Sequence, residues 1–351
     1  MRRAPLALQA AVILLAAGVF ALPLSPSLVE RYYATGFYPA LQSNLTSWSN
    51  TSAISLFDVL AGSSVVTMLV VWARWLRRAW RTRSAQPVLR GLLTTIVVAS
   101  VLYLWFAVAW GLNYARAPLE AAIGHDARRV TPAALRGLAE RATSEVNRLY
   151  AEAHSAGFPE IGDVPAPLVR GLHETERRLG RLTPTTPGRP KETLLAPFFR
   201  ASGVDGMHAP FLLETLLNPA LTPPERPAVL AHEWAHLAGY APEADASFVG
   251  LLAALRADPA SQYSAWLSLF EHAVGQLPAS ARREFVAKLG PGPASDRRAI
   301  ALRLDSRVEV VARASWETYD QYLKSQGVQE GVESYSRVIE LLLASGALDW
   351  P

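Results

Sequence analysis

The sequence predicts a mainly α protein, with three N-terminal transmembrane helices followed by a mostly helical extracytoplasmic domain that carries a small β element. Three observations lead there. Apolar stretches of membrane-crossing length are confined to the first third of the chain, and arginines crowd one of the connections between them. Beyond residue 113, apolar residues recur at three- and four-residue intervals in segment after segment, with one short region of extended character.

The apolar stretches come first. Residues 6–24 follow MRRAP without a charge, residues 54–72 carry only Asp58, and residues 91–111 are uncharged. About 20 such residues cross a hydrocarbon core of roughly 30 Å as a helix. The first stretch has two readings, a retained anchor or a signal peptide cleaved after Ala21. The anchor is preferred, because no polar region follows at once and further spans do. Asp58, at the start of the second stretch, is either a headgroup-level or capping residue or a contact to the outer domain.

Orientation follows from the connections. Arg74, Arg77, Arg78, Arg81, Arg83 and Arg90 lie between the second and third stretches, whereas the short link between the first two holds only Arg31 against Glu30. The positive-inside rule puts the arginine-rich side in the cytoplasm. Residues 1–112 are then a membrane region and 113–351 an extracytoplasmic domain of a multi-pass cell-membrane protein, with the lipid bilayer as its first partner. Half of the residues are hydrophobic (50%) and only 18% are charged, which suits that reading. The net charge of +4 is concentrated beside the spans, so nucleic acid is not expected as a partner. There is no cysteine, which excludes a thiol nucleophile, a Cys-ligated metal and any disulfide.

The outer domain opens with an amphipathic helix over TPAALRGLAERATSEVNRLYAEAHSAG, Thr131 as N-cap, Pro132 at the first helical position and Gly157 ending the run. LVRGLHETERRLGRL is a second helix, and TPTTPGRPK is a loop. TLLAPFF and MHAPFLLETLL read as short strands. An exposed strand edge there can pair with a peptide backbone. YSAWLSLFEHAVGQL, SARREFVAKL, RLDSRVEVVARASWETYDQYLKSQG and GVESYSRVIELLLASG read as helices, with GPGPAS a loop among them.

One segment carries chemistry. LTPPERPAVLAHEWAHLAG is a helix with a Thr222–Glu225 capping box, Pro223 at its start and Gly239 at its end; Pro227 can delay the regular part. His232 and His236, four apart, share a face and can reach one ion. Glu233, next to the first histidine, is placed for a water on that ion. A third ligand is needed. APEADASFVGLLAAL starts a second helix with Glu243 and Asp245 at its beginning, and its small residues permit close approach. Glu243 is the preferred ligand and would complete the His, His, Glu set of zincins, with Asp245 as alternate ligand or as a partner that orients a histidine. A solvated helix face could carry the same letters, but apolar flanks imply burial, and buried histidines and acids need a partner such as Zn2+. Tyr240, His208, Tyr263, Tyr335 and Arg337 are candidate donors to a developing oxyanion. His272, His173, His154 and His125 read as surface or packing residues.

WGLNYARAPL, GVDGMHAPFLLET, AHEWAHLAGYAPEADASF, YLKSQGVQEGVESYSRVIELLL and the SLFDVL around Asp58 together resemble the bacterial domain-of-unknown-function 3810 family, over nearly the whole chain. The resemblance implies a membrane-anchored, gluzincin-like zinc peptidase. In the family pattern HExxH precedes GF and then EDEANF; Glu243 takes the first acid, Asp245 replaces a Glu and Ser247 an Asn. The E-x-x-A-D helix of integral-membrane gluzincins is more distantly similar and places its metal-binding Glu where Glu243 stands. The expected function is therefore a membrane-anchored zinc metallopeptidase acting on an unknown peptide or protein. Its ligands are His232, His236 and Glu243, and Glu233 is its general base. The alternatives are a non-catalytic membrane protein whose metal site is structural, serving as a binding module, and a zinc hydrolase of a non-peptide cell-envelope amide.

Overall fold

A computed structural model describes residues 6–328 and 337–350. Helix α1 (Leu6–Ala21) is followed by α2 (Pro26–Asn50), bent from it by 108°. Helices α3 (Leu56–Thr82) and α4 (Gln86–Ala109) are long and apolar enough to cross a membrane, and α1 with α2 would make a third crossing only as a broken pair. The arginine-rich link is not a loop. Arg74, Arg77, Arg78 and Arg81 extend α3, and the chain reverses within residues 83–85, with Arg83 at a φ of 48°.

The segment expected to link the first two spans is also helical. Val29, Tyr33, Ala34 and Tyr38 of α2 join the same core as the outer helices. The Tyr38 hydroxyl donates to the Leu237 carbonyl at 2.8 Å, and the Thr46 hydroxyl to that of Leu213 at 3.1 Å. Packing therefore does not part at residue 112.

Beyond the spans lie α5 (Pro132–Ala156) and α6 (Ala166–Arg178). Thr131 caps α5 through the Ala134 N–H at 3.1 Å, and Gly157 ends it at a φ of 81°. A three-stranded sheet follows, β1 (Pro190–Lys191), β2 (Gly206–Ala209) and β3 (Glu214–Leu217), in the order β1-β3-β2. β1 and β3 are parallel, β2 and β3 antiparallel with His208 opposite Thr215. TLLAPFF is a correction to the expected strands, because its second half forms α7 (Ala196–Ser202), whose Phe199 packs against Ala209 and Leu216. Pro197 suits a first turn and cannot donate to a ladder.

Helices α8 (Arg226–Leu237), α9 (Glu243–Leu255), α10 (Pro259–Gly275), α11 (Ala279–Ala287), α12 (Pro291–Asp305), α13 (Glu309–Ser325) and α14 (Arg337–Ser345) complete the fold. GPGPAS is not a loop; Pro291 and Pro293 occupy the first turn of α12, where a missing N–H costs nothing. Trp234, Phe248, Phe270 and Leu149, from four different helices, are fully buried and unite α5, α8, α9 and α10 in one core.

The sheet is tied to α3 by a buried carboxylate. Glu214 of β3 accepts the N–H groups of Leu56 and Phe57, at 3.1 and 2.6 Å, and pairs with the buried Lys191 ammonium of β1. It thus satisfies two orphan donors at the start of α3. Asp58, one residue on, is a contact to the segment that follows β1, accepting from the Thr193 hydroxyl and the Leu194 N–H, both at 2.7 Å. Glu214→Ala is expected to cost about 3–5 kcal/mol, because Lys191 keeps a buried charge without its counter-ion. Thermal unfolding in detergent reads this, and an unchanged midpoint would refute it.

Candidate metal centre

The opening of α8 is built as its letters suggest. Pro223–Glu225 form a single 3₁₀ turn, and the Glu225 carboxylate accepts the Thr222 N–H at 2.8 Å within the capping box. Arg303 of α12 braces this turn, reaching Glu225 at 2.5 Å and Asp205, just ahead of β2, at 2.8 Å. Regular α8 begins at Arg226, with Pro227 in its first turn. Gly239, at a φ of 85°, releases the chain into α9. The two helices then meet at Gly250, where a Cβ would lie 2.7 Å from the His232 nitrogen and 2.8 Å from its Cα. Only a glycine lets α9 approach so closely.

That approach brings three predicted ligands together. Nε2 of His232 lies 3.1 Å from Nε2 of His236, and Oε2 of Glu243 lies 3.1 and 3.4 Å from the two nitrogens. The ring of His236 is oriented by its Nδ1–H, which donates to the Tyr240 carbonyl at 2.8 Å. A carbonyl can only accept, so in the neutral ring Nε2 is left as a lone-pair donor. Nδ1 of His232 lies 3.2 Å from the Ser247 hydroxyl. Ser247 therefore supplies a polar partner to a histidine.

Three electron-pair donors aimed at one point repel one another unless a cation or proton sits among them. Without an ion, a proton does so. Burial by itself would lower the His236 imidazole, but the Glu243 carboxylate outweighs it and the ring is pushed up to about 9. Burial likewise acts to raise Glu243, yet His236 and His232 hold it well below the usual carboxylate range. The residues also fit a metal. Tetrahedral bonds of about 2.0–2.1 Å place ligand atoms roughly 3.3–3.4 Å apart, close to the separations found. Oε2 of Glu243 is buried with no well-formed hydrogen bond, the expected state of a ligand atom. Its other oxygen accepts from the Tyr319 hydroxyl of α13, which turns Oε2 toward the histidines.

Glu233 is beside this cluster and outside it. It is 4% exposed, its Oε2 has no partner among the described residues, and burial raises it above the ordinary carboxylate value against the pull of His232 and His236. β2 runs alongside, so close that a Cβ on Gly206 would come within 2.7 Å of Glu233 Oε1. Two residues on, His208 is 8% exposed, and neither ring nitrogen is hydrogen-bonded among the described residues. Its ring stacks 6.4 Å from that of His236 and 5.0 Å from the Trp110 indole. Burial, then His236, hold His208 well below its usual pKa, so it is neutral.

The other predicted residues have different employment. Asp245 stands apart from the cluster and is pushed up to about 7, first by burial and then by Glu120. The Tyr263 hydroxyl donates to Asp296 at 2.6 Å, and the Tyr240 ring lies under Arg116 at 5.3 Å. Arg337 pairs with Glu120 at 2.6 Å, and Tyr335 lies outside the described residues. His154 bonds Asp296, His173 the Thr185 carbonyl, and His125 faces Glu340.

Two contributors carry no signal in the sequence. Trp110, directly after α4, donates its indole N–H to the His236 carbonyl at 2.9 Å. Tyr319 sits in a stretch that reads only as an amphipathic helix, and no spacing links it to Glu243 across 76 residues. If the cluster holds a zinc ion, Tyr319→Phe is expected to weaken its binding about 10- to 100-fold, the usual effect of losing a partner that orients a ligand. Competition with a chromogenic chelator measures it; unchanged affinity would remove Tyr319 from the site.

The fold and site define a mainly helical protein with two to three helices of membrane-crossing character and a His–His–Glu cluster beside an edge strand, His236 and Glu243 buried and His232 half-buried. The family comparison agrees with the resemblance carried by the motifs. The chain belongs to the family described as protein of unknown function DUF3810, whose model matches residues 33–343. No curated protein and no solved structure matches it.

Proposed function

We propose that the protein is a membrane-anchored, zinc-dependent peptidase with its large domain outside the cell membrane. The observation that carries this reading is the convergence of His232, His236 and Glu243 on one point, with an unpartnered Glu233 oxygen next to them. These three residues would hold the zinc. When bound, zinc supplies Lewis acidity to a substrate carbonyl and lowers the pKa of a water toward ~7.

The chain's own residues do the rest. Glu233 takes the water's proton on its carboxylate and delivers it to the departing amine nitrogen. Burial raises its pKa, which suits it to keep that proton between the two steps. β2, the end strand of the sheet among the described residues, pairs with an extended substrate backbone, which lays the peptide past Glu233. His208, neutral and without a hydrogen-bond partner, is the donor available to an oxygen that gains charge.

The rival reading, a structural site in a binding module, leaves Glu233 as a buried carboxylate oxygen without a partner or a task, a state that costs about 1–3 kcal/mol. The test is zinc analysis of detergent-purified protein together with amine release from a mixed peptide library. Near-stoichiometric zinc, lost in His232→Ala and Glu243→Ala, with amine release that depends on it, is the expected result. A wild type without zinc ends the proposal. Zinc without amine release from peptides leaves the structural site or the non-peptide amide.

A further inference from the structure

The outer ends of both long helices are fastened to the sheet that flanks the candidate centre. At α3, Glu214 of β3 accepts the Leu56 and Phe57 N–H groups. At α4, the Trp105 indole donates to the Phe211 carbonyl in the β2–β3 turn at 2.9 Å, and Phe106 packs against Phe211 with ring centres 6.3 Å apart. Trp110, one residue past the end of α4, bonds the His236 carbonyl. The cluster thus stands about one side chain above the end of a span. The β2–β3 turn is bonded to that span four residues, or about 6 Å, further in. Tryptophans at such positions mark the headgroup level of a bilayer.

β2 connects these two levels. At its start, Gly206 lies against Glu233; past its end, Phe211 lies against Trp105. Four residues of strand cover only about 13 Å. A chain paired along the outer edge of β2, the end strand of the sheet among the described residues, would therefore pass from the candidate base to the bilayer surface within a few residues. The surroundings suit the same level. Leu194, 82% exposed, and Phe198, 43% exposed, project where the outer end of α3 meets Thr193 and Leu194 through Asp58. Apolar side chains beside a span end are at home in the interfacial layer.

We propose that the substrate is the extracytoplasmic juxtamembrane segment of a membrane-anchored polypeptide, cut within about ten residues of its membrane anchor. This rests on the peptidase reading above. It adds that a bilayer-tethered chain is delivered along β2, whereas a soluble peptide has to reach a site at headgroup level unaided. Peptide hydrolysis is its only chemistry: water adds across the amide, its hydroxyl on the carbonyl carbon and its proton on the nitrogen.

The test uses the full chain with zinc in phospholipid nanodiscs. Its probe is a randomised 30-residue segment carried on an inert single transmembrane helix in the same discs, compared with the identical segment free in solution. Cut positions are mapped by mass spectrometry. The expected result is cleavage at least tenfold faster for the tethered probe, with cuts clustered in the ten residues next to the anchor. Cuts spread evenly along the tethered probe, or a free probe cleaved as fast, would overturn the inference and leave the peptidase reading standing. No cleavage of either probe by zinc-loaded protein would overturn both. Trp105→Leu, which loosens the turn from the span without touching the cluster, is expected to broaden the cut pattern at unchanged zinc content. An unaltered pattern would show that the turn does not set the register and overturn the proposed delivery.

Discussion

Glu233→Gln is expected to lower amide hydrolysis by about 10²–10⁴-fold while zinc stays near one per chain. The substitution keeps the volume of a side chain that is only 4% exposed and wedged against Gly206, so the helix and strand need not move. What it removes is the ability to accept a proton. His232 and His236 retain their Nδ1 partners, Ser247 and the Tyr240 carbonyl, so ligand orientation is preserved. Paired zinc analysis and initial rates on the same preparation separate the two properties. Loss of zinc along with rate would mean that Glu233 is part of the binding cluster. A variant that keeps full rate would mean that another group moves the proton.

Gly250→Val is expected to damage both stability and metal binding. A Cβ at this position would lie 2.7 Å from the His232 nitrogen, and its neighbours are backbone atoms that cannot swing aside. Overpacking of this kind costs about 1–3 kcal/mol, and a β-branched residue recovers little helix propensity to offset it. The larger consequence falls on geometry. Separating α8 from α9 moves Glu243 away from the histidines by the amount the helices part, and a ligand triangle of 3.1–3.4 Å has little slack. Thermal unfolding and zinc competition should both shift. A variant with wild-type zinc affinity would show that the helix contact does not set the site.

Much of the site was legible because its logic is local. His232, Glu233 and His236 lie within about one helical turn and Glu243 seven residues later, so helix periodicity and one glycine turn place them. The small residues after Glu243 announced the close helix contact, and Gly250 delivers it. Tyr319 was not legible, since its contact depends on how α13 crosses α9, and a tyrosine on an amphipathic helix has no mark of its own. The same holds for Trp110, which reads as the last aromatic of a span. In the fold, the spacing rules identified most helices and the β2–β3 pair. They failed where punctuation was ambiguous. GPGPAS and TLLAPFF carry prolines that suit a loop, a strand edge or a helix start, and only the packing partner decides. Residues 25–53 read as a short connection because they lie between two apolar stretches. In fact Gln42 bonds the Thr186 carbonyl at 2.8 Å, and Thr46 bonds that of Leu213.

Glu214 gives the molecule a lever. One carboxylate grips the start of α3 and the ammonium of β1 from its seat on β3, and β3 carries β2. Were α3 to cross a bilayer, a change in its tilt, the ordinary response of a span to length mismatch, would be carried through Glu214 to β3 and so to the strand that borders Glu233.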